Sequence, residues 1–429
     1  MILFYLLVGV MPLSNHRIWG AMVGEATVFK YIGALCVVYA VIHLAMRGDF
    51  PAFFATGQAR LFLVFFVIAA TSYIADYIPG PWESSPLLSY VSFLLLLFVT
   101  LTVVDSIRRL HYVLLVAIGS VAFASLYVIR EWQKYHNLYP DFRPGSVVTD
   151  PNYFTISTLL CLPLAFYLML EQQSPWERWF CFGCLVLTLL GATLAASRGG
   201  FLGLMAAFLF VVWHSRRRLR NLALLSLLVL PLSLASPVSP VKRLWHPTHS
   251  EVEAQDNRLV AWTAGLGMIR THPLAGIGLG NFKTFMPLYA GPEVRIDTIG
   301  HNAYVDIAAE MGIPALLVFL GILYSSYRNL RQVSRRLQGS GSHFLLQAAL
   351  GLQAGLLGCA VALFFVSGQY QKLLWLMVFL SICVPSFVPV AADESPDPEK
   401  SRPGAGPIQA YGKSSGKELS SDYRGGRRA

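Results

Sequence analysis

Charge is what this sequence has least of. Asp, Glu, Lys and Arg make up 13% of its 429 residues, about half the share of roughly 25% usual in soluble proteins. With 55% hydrophobic residues and a mean hydropathy of +0.55, the composition excludes an ordinary soluble globule. Cysteine is also scarce. Cys36, Cys161, Cys181, Cys184, Cys359 and Cys383 all fall inside apolar runs, which reads as buried, inert thiols. Cys181 and Cys184 form a CxxC, but no second Cys or His pair stands near enough to complete a zinc site. Equally missing are a Walker-type phosphate loop, an HExxH, a serine-nucleophile elbow and an acidic DxD-like pair in an external loop. Neither a metal nor a cofactor is therefore expected. Met1 to Met11 is apolar but lacks a basic leading region and a small-residue cleavage site, so it reads as a short first span rather than a signal peptide.

What is present is a series of apolar runs. About 20 residues at about 1.5 Å each cross a hydrocarbon core about 30 Å thick, and such runs recur along the chain. The expected fold is an all-α, polytopic membrane protein of about twelve spans. These are Ile2–Leu13, Val28–Met46, Leu61–Ile78, Leu87–Val104, Tyr112–Ile129, Tyr153–Leu170, Trp179–Ala196, Gly199–Trp213, Leu219–Ala235, Ala303–Tyr324, Phe344–Val366 and Leu373–Val388. The chain accordingly divides into N-terminal spans (1–236), a large loop (237–302), three C-terminal spans (303–390) and a tail (391–429). That tail is Pro/Ser/Gly-rich and charged, and reads as disordered.

The formal net charge of +10 would point to nucleic acid in a soluble protein. In a membrane protein it follows from basic cytoplasmic loops, and no nucleic-acid partner is expected. One set of alternate loops carries Arg47, Arg60, Arg108, Arg109, Arg178, Arg216, Arg217, Arg218, Arg220, Arg328, Arg331, Arg335 and Arg336. The opposite short loops offer Arg17, Arg198 and Lys372. Both termini are therefore expected to be cytoplasmic, with the 237–302 loop and the Arg130–Asn152 loop on the outer, periplasmic face.

The outer loop has its own pattern. Asp256 or Asn257 can cap a helix, along which Leu259, Trp262, Leu266 and Ile269 recur at helical spacing. His272-Pro273 should end that helix, and GIGLGNF (276–282) reads as flexible turn sequence. The expected unit is an amphipathic helix lying on the bilayer surface.

Several residues could carry chemistry. Arg198, in Ser197-Arg198-Gly199-Gly200, lies between two spans with almost no loop. A guanidinium there must snorkel or bind an anion. Arg258, Arg270 and Arg295 are further cations, suited to a diphosphate because Arg binds phosphate bidentately. Arg258 falls in the first turn of the expected helix. His301 opens a span near these cations, which would keep its imidazole neutral and fit for general-base work. Asn302 would orient a donor or cap the helix, and Tyr304 shares the face of His301. Asp306 and Glu310 lie inside a span, where acids need a partner or a wet cavity. Glu310, half a turn out of phase with His301, reads as a supporting partner to an Arg, with a helix break expected at Met311–Pro314. Asp150 and Asn152, in Thr149-Asp150-Pro151-Asn152-Tyr153, are candidates equally for capping and for sugar binding.

Taken together, SRGG at 197–200, NRLVAW and IRTHPLAGIGLGNF within 257–282, HNAYVDIAAEMGIPA at 301–315 and DPNYF at 150–154 resemble the bacterial O-antigen ligase superfamily. That superfamily includes O-antigen polymerases and O-oligosaccharyltransferases. The resemblance spans roughly Phe29 to Pro385. It implies an inverting, metal-free glycosyl transfer at the periplasmic face of the bacterial inner membrane. The donor would be an undecaprenyl-diphosphate-linked glycan. The acceptor would be a hydroxyl of lipid A–core, of a growing glycan or of a protein, with lipid A–core favoured. Carried over, His301 would be the general base, Arg198 and Arg258 the diphosphate clamp, and Arg295 a third clamp residue. A transporter of lipid-linked glycan also fits twelve spans, but no internal repeat of the kind many transporters show is evident.

Overall fold

A computed structural model describes residues 1–13, 22–23, 26–47, 56–76, 85–138, 142–145, 150–171, 174–215, 218–223, 226–227, 249–291, 299–338 and 343–388. The chain is an all-α polytopic membrane protein. Among the described residues, the sole extended pairing joins Met22–Val23 to Ala26–Thr27. The helices are α1 (Ile2–Val10), α2 (Val28–Arg47), α3 (Gly57–Ala75), α4 (Pro86–Val103), α5 (Ile107–Tyr135), α6 (Pro151–Glu171) and α7 (Pro175–Ala195). Then come α8 (Arg198–His214), α9 (His249–Thr271), α10 (Phe282–Ala290), α11 (Ala303–Arg336), α12 (His343–Ala362) and α13 (Lys372–Cys383). Eight of these helices are long and apolar enough to cross a membrane, and Ile2–Leu13, Arg198–His214 and Lys372–Phe387 are shorter apolar helices. Most of the expected span Leu219–Ala235, and all of the tail 391–429, lie outside the described residues. Residues Met1–Val388 form one compact unit.

Helix packing in a bilayer depends on close backbone approach, because lipid tails are as apolar as the side chains they would displace. Where α8 crosses α12, Gly203 and Gly358 face each other. A Cβ on Gly203 would lie 2.5 Å from the Gly358 carbonyl oxygen, and one on Gly358 would lie 2.7 Å from that of Gly203. Buried aromatic rings fill the other half of the bundle. Trp375 of α13 meets Phe62, Phe93, Phe319 and Phe379, with ring centroids 5.0 to 6.0 Å apart.

One polar cluster ties three helices. The buried Gln58 side chain of α3 donates through Nε2 to Ser326 Oγ of α11 (2.7 Å) and to the Val378 carbonyl of α13 (2.9 Å). Its Oε1 accepts from Asn329 Nδ2 (2.8 Å). Interhelical hydrogen bonds in membranes contribute about 0.6 kcal/mol each on average, up to about 2. Gln58→Leu removes these three and the contacts with Ser381 Oγ (3.0 and 3.4 Å), and leaves the Asn329 amide and the Ser326 hydroxyl short of partners. The variant should lose about 1–3 kcal/mol of stability, read as a lower melting midpoint in detergent.

Candidate functional site

The site is built around a break in α11. Gly312 has φ 84° and ψ 169°, so the helix stops and restarts there. Ahead of the break, Ile307 to Gly312 are all buried. Beyond it, Ile313, Leu317, Leu320 and Tyr324 are exposed apolar residues. The groups freed by the break are paired by the turn that follows α9. Ile277 N–H donates to Ala309 O (2.9 Å), Gly278 N–H to Glu310 O (3.0 Å) and Ile313 N–H to Pro273 O (2.8 Å). Ser72 Oγ of α3 donates to Glu310 O as well (2.9 Å). Gly276 and Gly312 both have positive φ. A Cβ on either would strike backbone, that of Glu310 in one case and of Leu274 in the other. The expected flexible turn is therefore a fitted plug. Asn281 fastens it to the end of α3, donating from Nδ2 to Asp76 O (2.9 Å).

Near the start of α11 stands His301, in the left-handed region at φ 49°. For a non-glycine residue that costs on the order of 1 kcal/mol or more, and it persists only where neighbours impose it. They do here. Gly300 N–H donates to Asp306 Oδ1 (3.1 Å), and Trp262 Nε1 donates to Gly300 O (2.8 Å). Asn302 is the N-cap of α11, its Oδ1 accepting from the N–H of Tyr304 (3.0 Å) and Val305 (3.2 Å). Ala303 N–H donates to Leu363 O (2.9 Å) and Tyr304 OH to Ala360 O (2.6 Å), which pins the turn to the end of α12. Burial, and then the positive charge of Arg258, push the imidazole below its ordinary value, while the Asp150 carboxylate pulls it back up. The ring is neutral at pH 7.

Asp150 leads to Arg198 through hydrogen bonds. Asp150 Oδ1 caps α6, accepting from Asn152 N–H (2.8 Å) and Tyr153 N–H (3.4 Å). Asn152 Oδ1 accepts from Ser197 Oγ (3.0 Å) and from Arg143 Nη2 (3.1 Å). Ser197 in turn caps α8, accepting from Gly200 N–H (3.3 Å). Arg198, the first residue of α8, is partly exposed, and no carboxylate among the described residues pairs with it. A Cβ on Gly199 would lie 2.5 Å from Phe365 Cβ, so the turn sits against the segment that follows α12. Phe364 of that segment meets the Trp262 ring at 5.3 Å. Beside the turn a narrow crevice of about 20 Å³ lies among α6, α7 and α8, lined by Thr155, Thr158, Ala192, Thr193, Ser197 and Leu204. The Thr155 and Thr158 hydroxyls donate to carbonyls of their own helix.

Three features of the structure depart from what the sequence leads one to expect. Helix α9 begins at His249, not at Asp256 or Asn257; Glu, Ala and Gln at 253–255 are good helix formers that carry it through. Arg258 therefore falls mid-helix rather than in the first turn. The buried stripe of α9 is Ala261, Ala264, Gly265 and Met268, while Leu259 and Leu266 are 52% and 47% exposed. Small residues won because α9 lies close on α11, where a Cβ on Gly265 would meet Val305 Cγ1 at 2.5 Å. Third, Glu310 does not serve as the supporting partner of an Arg in the way expected. Its carboxylate accepts from the Phe282 N–H (3.2 Å), the Gly280 N–H and the Tyr370 phenol, holding the plug from below. Arg295 lies outside the described residues, and Arg270 is exposed on the last turn of α9. Arg143 and Gln369, whose Nε2 lies 3.5 Å from Asp306 Oδ2, had not stood out in the sequence, and Trp262 had stood out only as part of the helical repeat.

The charges around His301 predict a titration. Arg258→Gln removes a cation that disfavours imidazolium, so the His301 pKa should rise. Asp150→Asn removes an anion that favours it, so the pKa should fall. NMR of imidazole-labelled protein in micelles reads both directions.

No curated protein matches the chain. Residues 183–320, which run from within α7 into α11 and take in both Arg198 and His301, match the family model described as O-antigen ligase (Wzy_C). Over those residues the chain is similar to that family, whose members are membrane glycosyltransferase-like enzymes comprising ligases and polymerases.

Proposed function

We propose that the chain transfers a glycan from undecaprenyl diphosphate to an acceptor hydroxyl, in an inverting, metal-independent reaction at the periplasmic face of the inner membrane. A saccharide of lipid A–core is the preferred acceptor. The observation that carries this reading is His301, held in a left-handed turn at φ 49° within electrostatic reach of Arg258 and Asp150, with its imidazole pKa lowered chiefly by burial. Hydrogen bonds from the Asp150 side lead on to the Arg198 turn.

On this reading His301 takes the proton of the acceptor hydroxyl as its oxygen attacks the anomeric carbon. The bond from that carbon to the diphosphate oxygen breaks, and the electron pair leaves on the diphosphate. Negative charge grows on the leaving group, and fixed guanidinium groups in a water-poor site stabilise it. Arg198 and Arg258 fill that role, with Arg295 a third candidate.

His301→Ala should lower transfer by about 10²–10⁴-fold, the usual contribution of a general base. Full transfer by that variant in a deletion strain would remove the base assignment. In the wild type the rate should fall only at acidic pH, as His301 gains a proton. A lipopolysaccharide gel of the deletion strain reports the acceptor. Bare core with accumulated lipid-linked polymer indicates a ligase, and core plus one repeat a polymerase. Unchanged lipopolysaccharide indicates a protein-directed enzyme. If purified protein moves lipid-linked glycan across vesicles without changing its linkage, the chain is a transporter instead.

A further inference from the structure

We propose that Arg143 is a positioning residue that fixes the direction of Arg198; the proposal rests on the reading of Arg198 as a diphosphate-binding group. Arg143 belongs to a short strap, residues 142–145, that lies over the junction of α6, α7 and α8. Both ends of the strap are held, the first by Phe142, whose ring meets that of Tyr135 on α5 at 5.3 Å, and the last by Gly145. Gly145 N–H donates to Oε2 of the buried Glu131 on α5 (2.7 Å), and a Cβ on Gly145 would lie 2.9 Å from Pro151 Cα, at the start of α6.

Arg143 itself sits on the turn between α7 and α8. Its Nε and Nη2 both donate to Ala195 O, at 3.2 and 3.1 Å. Ala195 ends α7, where a helix leaves carbonyls without intrahelical partners and carries partial negative charge. The next residue, Ala196, is left-handed at φ 48°, so the backbone reverses within one residue and needs outside support. Arg143 Nη2 also donates to Asn152 Oδ1 (3.1 Å), the atom that accepts from Ser197 Oγ. One guanidinium thus holds both sides of the reversal, Ala195 directly and Ser197 through Asn152, against the start of α6. Arg198 is the next residue, so its point of departure is set by this fork. A lysine has a single nitrogen and no planar fork, and could hold one side but not both in this geometry.

The test uses the full chain in nanodiscs with its lipid-linked glycan diphosphate as donor. Arg143→Lys should raise the donor KM about tenfold while kcat falls less than about threefold, and should add nothing in an Arg198→Ala background. Ser197→Ala, which cuts the same linkage elsewhere, should show the same split and the same non-additivity. It serves in its place should Arg143→Lys fail to fold. An equal penalty with and without Arg198 would make Arg143 an independent ligand and overturn the proposal. So would unchanged kinetics in both variants. A nitroxide on Arg198→Cys separates this proposal from the reading beneath it. If Arg198→Ala leaves the donor KM unchanged but Arg143→Lys or Ser197→Ala still mobilises the label, the diphosphate assignment fails and the positioning role stands. A label equally immobile in all backgrounds sinks the positioning role.

Discussion

Within a bilayer, a helix can break only where protein supplies the hydrogen bonds that the break releases. The break at Gly312 meets that constraint with a segment from elsewhere in the chain. The turn after α9 places two N–H groups and one carbonyl against Ala309, Glu310 and Ile313, and α3 adds Ser72. The demand is reciprocal. A turn of this kind, with three positive-φ glycines at 276, 278 and 280, has backbone groups of its own to satisfy, and it finds partners at the break. The helices α9 and α10 are thereby fixed to the bundle in part by backbone hydrogen bonds.

The same break sets the frame for His301. The half of α11 ahead of Gly312 is buried in protein, so Asp306 and Glu310 need not face lipid. Each turns its carboxylate onto backbone N–H groups: Asp306 onto Gly300, one residue before the histidine, and Glu310 onto Phe282 at the edge of the plug. Both acids act as anchors, one for the His301 turn and one for the turn that sustains the break. An acid buried in this way costs free energy unless hydrogen-bonded, which is why each lies beneath a loop whose amides are free to donate.

Much of this was legible in advance, for identifiable reasons. Long apolar runs announce spans because bilayer thickness fixes their length. Met311-Gly312-Ile313-Pro314 announced a break because Pro314 and Gly312 both oppose a regular helix. Asn302 and Asp150 were readable as caps, since a short acceptor side chain just ahead of a helix has that use. The stripe of α9 was misread because its contact with α11 is made by Ala261, Ala264 and Gly265, which add little to a hydrophobic periodicity; the leucines that dominate the pattern point outward. Glu310 was given the wrong partner because sequence spacing identifies a face of a helix but not the backbone that will cross it. Arg143 gave no signal at all. Its partners are a carbonyl 52 residues away and an amide side chain in the next helix, and neither leaves a trace in local pattern.

The charges around His301 have a consequence for the order of events on the proposed reading. In the free protein, Arg258 opposes protonation of the imidazole, so the base is available but weak. A diphosphate bound alongside Arg258 would offset that positive charge with its own negative charge. The imidazole would then hold a proton more firmly and become a stronger base at the moment the donor is in place. As the glycosyl bond breaks, charge accumulates on the leaving diphosphate and strengthens that effect further. A clamp and a base that share one cation are coupled in this way by Coulomb's law alone, without any movement of the protein.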